Sequence, residues 1–434
     1  MEYYSINRKS ENVDFKTATI QGQAPDNGLY FPEYIPTWSK EFINNLGNLS
    51  KEEIGFQIMK PYIGNSIPEE VLRNIIKETL SFDIPLNKID DDTYCLELFH
   101  GPTLAFKDLG ARFLSRCLGY FAKEQEKKII ILVATSGDTG GAVADGFYDV
   151  PGTEVIILYP SGKVSEVQEK QLTGLGKNIH ALEVEGDFDD CQRLVKMAFA
   201  DKDLQSLGLL TSANSINISR WLSQQIYYAI ALSQWKHQIP PVISVPSGNF
   251  GNLCAGLLAK KSGLPISKFI AACNKNDVFT RYIKTGNYSP TSSFQTISNA
   301  MDVGSPSNFI RIQELFNGAN QQIQEHIESY SITDEETENA IKNVYEKHNI
   351  ALDPHSAVAF VAIKKWQETH SGYKGIILGT AHPLKFPTVV EKITGEKISI
   401  PKHIEVIMKR PKKAIKTQAT FKNCKELIRK ILTP

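Results

Sequence analysis

Residues 128–148 read Lys-Ile-Ile-Ile-Leu-Val-Ala-Thr-Ser-Gly-Asp-Thr-Gly-Gly-Ala-Val-Ala-Asp-Gly-Phe-Tyr. The run Lys128–Ala134 is apolar without alternation, which predicts a strand buried on both faces. Gly137, Gly140 and Gly141 follow at once, and helical spacing takes over across Gly141–Tyr148. A buried strand that turns through glycines into a helix is the repeating unit of a parallel α/β sheet. The same texture recurs outward from this stretch. Apolar runs at Glu154–Tyr159, His180–Val184, Val242–Val245, Phe269–Cys273 and Gly375–Leu378 alternate with helical spacing at Val164–Leu172, Phe188–Phe199, Ile218–Gln234 and Asn252–Lys261. The expected fold class is therefore α/β, a parallel sheet with helices on both faces and its ligands at the carboxyl ends of the strands.

The flanking regions read differently. Residues 1–80 form an expected N-terminal domain of mixed structure, with a turn in Ala24–Pro32 and helices at Glu52–Lys60 and Pro68–Leu80. Residues 81–400 make the expected core, interrupted by a proline-, serine- and asparagine-rich insertion at about 277–322, placed near the site entrance. Helical spacing returns at Asp334–Glu346 and Ala357–Glu368. Residues 401–434 are a basic tail, either a solvated helix face or an electrostatic arm.

Composition removes whole classes of function. Lysine plus arginine (48) equals aspartate plus glutamate (48), so no global field draws nucleic acid or an anionic membrane. No stretch has the roughly 18 consecutive apolar residues of a membrane helix. The six cysteines lie apart with no CxxC pair, which argues against a zinc site or a disulfide scaffold. A soluble cytoplasmic protein without a metal is expected. The nucleotide signatures GxxxxGK[ST] and GxGxxG, and the hydrolase signatures HExxH and GxSxG, do not occur.

Two strand ends run into glycine-rich loops, Thr135–Gly141 and Pro246–Asn252. Glycine lets backbone approach a ligand, and free N–H groups at a helix start favour an anion, so two anionic groups are expected along one sheet edge. A third stretch, Glu97-Leu98-Phe99-His100-Gly101-Pro102-Thr103-Leu104-Ala105-Phe106-Lys107-Asp108, sets a lysine among apolar neighbours just before a helix. Either Lys107 snorkels to the surface, or it is desolvated and nucleophilic. A sheltered lysine with two anion-cradling loops suits pyridoxal phosphate, which needs an imine-forming lysine, a phosphate cup and a partner for its ring nitrogen.

Glu97–Asp108 resembles the cofactor-lysine motif of the threonine synthases, in the branch with a long N-terminal domain. Tyr3-Tyr4-Ser5 and Ala24–Pro32 are similar to that family's N-terminal domain, Ser136–Gly140 and Ser247–Asn252 to its two loops, and Leu378–Phe386 to its last cofactor motif. The resemblance implies a pyridoxal-phosphate enzyme of the tryptophan-synthase-β fold type with an additional N-terminal domain. It would be a carbon–oxygen lyase converting O-phospho-L-homoserine and water to L-threonine and phosphate by γ-elimination and β-hydration. Lys107 would hold the cofactor and move protons; Gly248, Asn249, Phe250 and Asn252 would cup its phosphate; Thr380 would meet its ring nitrogen. Ser136 and Thr139 are the candidates for the substrate carboxylate. Asn214, Asn217 and Arg220 are the candidates for the leaving phosphate, with Lys385 a further one.

Asp138 stands where most enzymes of the wider fold type carry asparagine, and is expected to point back and cap the following helix. His100 and His382 are either acid–base groups or backbone-satisfying histidines. A related lyase releasing 2-oxobutanoate from the same substrate, and a cofactor-free scaffold, are the alternatives. A monomer or a homodimer is expected, with no nucleic-acid or membrane partner.

Overall fold

The computed structural model describes residues 1–433. The strand Ile129–Ala134 lies inside a five-stranded sheet ordered Ala414–Gln418, Ile179–Glu185, Thr153–Pro160, Ile129–Ala134, Leu209–Ser212, with every neighbour parallel. The remaining core strands form a second sheet of six: Ile327–Ser331, Lys268–Cys273, Val242–Pro246, Gly375–Gly379, Thr93–Glu97 and Leu86–Lys88. All its pairs are parallel except the last.

The expectation of one sheet is thus corrected to two. An unbroken apolar run reports burial on both faces, not which strand lies alongside, so membership of a sheet is invisible in the pattern. The correction moves the site. The glycine loops after Ala134 and after Pro246 end strands of different sheets, so they do not lie along one edge.

The N-terminal region pairs Glu2–Ser5 antiparallel with Val13–Asp14 and with Tyr30–Pro32. Asp14 caps the helix Phe15–Gln21 by accepting from the Thr17 N–H. Helices Lys51–Ile63 and Glu69–Thr79 follow, the second burying Leu72, Ile75, Ile76 and Thr79 on one face. This region does not stand apart. Tyr3 and Phe15 share one apolar core with Trp221, Leu253 and Leu378, and the Phe31 and Trp221 rings lie 5.4 Å apart.

The stretch at 277–322 holds the helices Val278–Thr285, Phe309–Leu315 and the start of Asn320–His326, joined by irregular chain. The basic tail folds as a helix, Lys402–Met408, an edge strand, Ala414–Gln418, and a second helix, Phe421–Leu432. The last helix buries Cys424 and Ile428 against Cys191, Leu194 and Ala198. The charges of the tail meet acids: Lys425 of this helix reaches Asp201 and Asp203 at 2.7 Å each, and Lys412, ahead of the edge strand, reaches Glu183 at 2.7 Å. No described helix is long and apolar enough to cross a membrane, and all six cysteines are buried and unbridged.

Candidate active site

Lys107 opens the helix Lys107–Ala122, and backbone pairing fixes where it stands. The Leu98 N–H donates to the Gly379 carbonyl at 2.9 Å, Phe106 N–H to Thr380 at 2.9 Å, and His382 N–H to Leu104 at 3.0 Å. The chain before Lys107 is therefore zipped onto the chain carrying Thr380. Leu104 turns through a left-handed φ of 61°, an uncommon conformation for leucine, and the Asp108 carboxylate secures the turn by accepting the Thr103 N–H at 2.9 Å and the Thr103 hydroxyl. Gly101 is required there, because a Cβ would run into the Asp108 carboxylate. The Lys107 amine lies 5.0 Å from the Phe106 ring and is largely sheltered. Burial pushes its pKa below the ordinary lysine value; Asp138 pulls it back up, while Lys385 and Arg220 push it further down.

Asp138 comes from the other sheet, in the first turn of the helix Asp138–Phe147. It does not cap that helix as expected. Thr135 takes that task, its hydroxyl accepting from Gly137 N–H at 3.0 Å and Gly140 N–H at 2.9 Å, which frees the Asp138 carboxylate to turn inward. Its Oδ2 stands 3.7 Å from the Lys107 amine, and its Oδ1 stands 2.9 Å from the Lys385 amine and accepts from Gln168 Nε2 at 2.9 Å. Burial opposes its ionisation, but Lys385 and Lys107 outweigh that and hold its carboxyl well below the usual range. Ser136 and Thr139, half-buried, share this loop.

Lys385 is fully buried, its remaining N–H groups going to the Thr103 carbonyl and Gln171 Oε1 at 2.8 Å each. A fully engaged ammonium has no donor left for a leaving phosphate, so that role for Lys385 is corrected. Asn217 is corrected likewise. Its Oδ1 caps the helix Ile218–Ser223 through Ser219 N–H, and its Nδ2 donates to the Thr19 and Ser212 carbonyls at 3.0 and 3.1 Å.

Asn214 and Arg220 differ from Asn217. Asn214 Oδ1 is buried with no partner, and so is Arg220 Nε. The Arg220 guanidinium is buried, donating from Nη1 to the Ala213 carbonyl and from Nη2 to that of Lys107 at 3.4 Å, and burial pushes its pKa down to about 10. Among the described residues no carboxylate pairs with it.

The loop after Val242–Pro246 is anchored by Ser247, whose N–H donates to the Ala272 carbonyl at 2.8 Å. Phe250 adopts φ 61° and hands over to the helix Gly251–Lys261. Among the described residues, the N–H groups of Gly248, Asn249 and Phe250 meet no protein acceptor. Asn252 Oδ1 accepts from the Tyr228 hydroxyl at 2.8 Å, and its Nδ2 is buried without a partner. Asn249 is differently placed: its Nδ2 donates to Ser215 Oγ at 2.8 Å and its Oδ1 accepts the Ser307 N–H, so its side chain serves the loop and leaves only its backbone N–H for a ligand.

Gly248 lies against the 277–322 stretch, where an added Cβ would come 2.7 Å from Met301 Cα. Gly248→Ala is therefore expected to displace the loop and weaken cofactor affinity about tenfold or more, while the helical circular-dichroism signal is retained. An absorbance titration with pyridoxal phosphate measures this.

Thr380 is buried just beyond the strand Gly375–Gly379, and its hydroxyl has no protein partner among the described residues. His382 spends Nδ1 on the Leu384 N–H at 3.1 Å, and burial takes its pKa down to about 4, so it stays neutral. His100 pairs with Glu97 at 2.7 Å on the surface side.

Sequence reasoning missed Gln168, Gln171, Asn308 and Arg311. Arg311 is buried over the Trp221 ring at 4.3 Å and donates to the Ser215, Ile216 and Tyr30 carbonyls, tying the N-terminal domain to the loop that carries Asn214. Two glutamines in one amphipathic segment were the available signal for Gln168 and Gln171. Asn308 and Arg311 lay in a stretch without periodicity and gave none.

Free N–H groups and the orphaned Asn252 donor fit a phosphate, a depressed lysine amine fits an aldehyde, and the unpartnered Thr380 hydroxyl suits a ring nitrogen. The family model described as pyridoxal-phosphate dependent enzyme matches residues 84–378, and this chain is of that class. Models of the threonine synthase N terminus and of the threonine synthase C-terminal region match residues 2–80 and 356–428. The chain is 44% identical over 406 residues to threonine synthase of Escherichia coli (strain K12), covering 93% of this chain and 94% of that one. The crystal structure of the Escherichia coli enzyme aligns with a TM-score of 0.92 over 99% of this chain and 100% of that one, at 41% identity. The PLP-bound threonine synthase from Brucella melitensis aligns at 0.93 over 100% of both chains, at 34% identity. The chain belongs to the threonine synthase family.

Proposed function

We infer that this chain binds pyridoxal phosphate and converts O-phospho-L-homoserine and water to L-threonine and phosphate. The observation that carries the reading is the Lys107 amine, desolvated and only 3.7 Å from Asp138, where loops from two sheets meet. When bound, pyridoxal phosphate supplies an electron sink that makes the substrate's Cα proton removable and lets a group leave from Cγ. Lys107 anchors the cofactor between turnovers; once substrate takes its place, the freed amine is the base at Cα and carries protons to and from Cβ and Cγ. The N–H groups of Gly248, Asn249 and Phe250, with Asn252 Nδ2, hold the cofactor phosphate. The Thr380 hydroxyl would meet the ring nitrogen of the bound group, a partner that, unlike a carboxylate, does not stabilise a protonated ring. Ser136 and Thr139 take the substrate carboxylate, and Arg220 and Asn214 the leaving phosphate.

One chain supplies every group named, so neither a monomer nor a homodimer needs a second copy to complete the site, and a cytoplasmic enzyme in one of those two states is part of the same reading. Incubating the cofactor-loaded chain with O-phospho-L-homoserine is expected to release threonine and phosphate one to one, read by chromatography and a phosphate assay. Main release of 2-oxobutanoate would overturn the water-addition step. Absence of both products together with absence of cofactor binding would leave only a scaffold.

A further inference from the structure

The Asp138 carboxylate is shared unequally between two lysines. Its Oδ1 is held by Lys385 and by Gln168, both at 2.9 Å, while Oδ2 is left 3.7 Å from Lys107, beyond a good hydrogen bond. Lys385 in turn has no freedom, its three donors fixed by Asp138, Thr103 and Gln171 in a site closed to water. The arrangement bridges the two halves of the core. Asp138, Gln168 and Gln171 sit on helices of the five-stranded sheet, and Lys385, Thr103 and Lys107 on the chain leaving the six-stranded one.

The other groups around Lys107 do not compete for its amine. Asp108 on its own helix is turned to Thr103, the Tyr227 hydroxyl donates to the Phe106 carbonyl, and Arg220 faces the Lys107 carbonyl. Among the described residues Asp138 is the one carboxylate within ion-pairing distance of that amine.

We propose that Lys385 is a positioning residue that holds Asp138 so that it cannot close onto Lys107 and lock it as an ammonium. The pair contributes almost no net charge, so the pull of Asp138 on the Lys107 proton is offset and the downward push of burial on that amine stands. Removing Lys385 alone leaves the carboxylate held only by Gln168 and its charge uncancelled, so that it can close on Lys107 and fix the proton on it. Removing Asp138 alone leaves Lys385 as a second cation that drives the proton off. Removing both restores a neutral surrounding. The inference rests on the reading of Lys107 as the cofactor-anchoring amine and assigns that amine its regulator.

The test uses the full-length chain freed of cofactor. The rate at which an amine-reactive acylating reagent modifies Lys107 is followed from pH 6 to 11 by mass spectrometry of its peptide, with the 92% exposed Lys397 as reference. Lys385→Met is expected to raise the Lys107 midpoint and to slow its modification at pH 8 about tenfold. Lys385→Arg is expected to stay near wild type, and Asp138→Asn to lower the midpoint. The double variant Asp138→Asn, Lys385→Met is expected to return towards wild type.

An unchanged or lower midpoint in a folded Lys385→Met, or a double variant no different from it, overturns the proposal. If Lys385→Met does not fold, Asp138→Asn decides: an unchanged or higher midpoint overturns it. Because no cofactor is present, these shifts stand apart from the proposed function. A chain that shows them yet binds no pyridoxal phosphate would retire that reading and leave only the hold of Lys385 on Asp138, and its effect on the Lys107 amine, in place.

Discussion

Lys107→Ala is expected to fold like the wild type, to form no visible absorbance band with pyridoxal phosphate, and to turn over O-phospho-L-homoserine about 10³-fold more slowly or worse. Two roles vanish with one amine. The covalent hold on the cofactor is lost, and so is the base that reaches Cα. Folding is spared for a structural reason. The segment before Lys107 is held by the backbone bonds of Leu98, Phe106 and His382, not by the lysine side chain. Asp138 is not orphaned either, since Lys385 and Gln168 still occupy its Oδ1. Truncation therefore leaves no uncompensated buried charge, the usual source of a large stability loss, and a change within about 1 kcal/mol is expected in a denaturant titration. Absorbance spectra of both proteins, before and after cofactor and substrate, check the rest. A variant that keeps the band or the turnover would remove Lys107 from the chemistry.

Much of this was written into the sequence because some signals are local. The strands Ile129–Ala134, Val242–Pro246 and Gly375–Gly379 announce themselves by unbroken apolar runs, and the loops after them by glycine and hydroxyl residues. Leu209–Ser212 and Ile327–Ser331 are short and partly exposed, so burial never imposed a pattern on them. The edge strand Ala414–Gln418 buries only Thr417 and reads as charge.

The site divides the same way. Lys107 and the Ser247–Asn252 loop are legible because the need is local: a sheltered amine, and backbone able to approach a ligand. The roles of Asp138 and Lys385 are not, because each depends on a partner about 250 residues away in sequence (138 against 385). Helix-capping chemistry offered Asp138 a plausible local task, which Thr135 performs instead. Arg311 joins the Asn214 loop to the N-terminal domain through carbonyl groups, which every residue carries and no sequence pattern marks.

Arg220→Met is expected to lower kcat/KM for O-phospho-L-homoserine about 10²-fold without destabilising the ligand-free protein. The two halves of that expectation have one cause. The Arg220 guanidinium is buried with no carboxylate partner, its Nε satisfied by nothing and its Nη2 by a long contact of 3.4 Å. A buried cation without a counter-ion costs stability, and an apolar side chain of similar length in its place is commonly neutral or stabilising. The charge is thus best accounted for by an anion that arrives. Burial lowers its pKa only to about 10, so it stays charged at neutral pH to meet a dianionic phosphate. Asn214, its neighbour across the loop, has an unpartnered side-chain oxygen that would accept from the phosphate once it has left and taken up a proton.

With the cofactor loaded, so that its own phosphate cup is filled, inorganic phosphate is expected to raise the melting temperature of the wild type and to leave that of Arg220→Met unmoved. The conservative variant Arg220→Lys keeps the charge but not the fork and should recover only part of the loss. A variant that melts lower while kcat/KM and the phosphate response survive would mean that Arg220 merely props the Ala213 and Lys107 carbonyls, and the leaving phosphate would have to be met elsewhere.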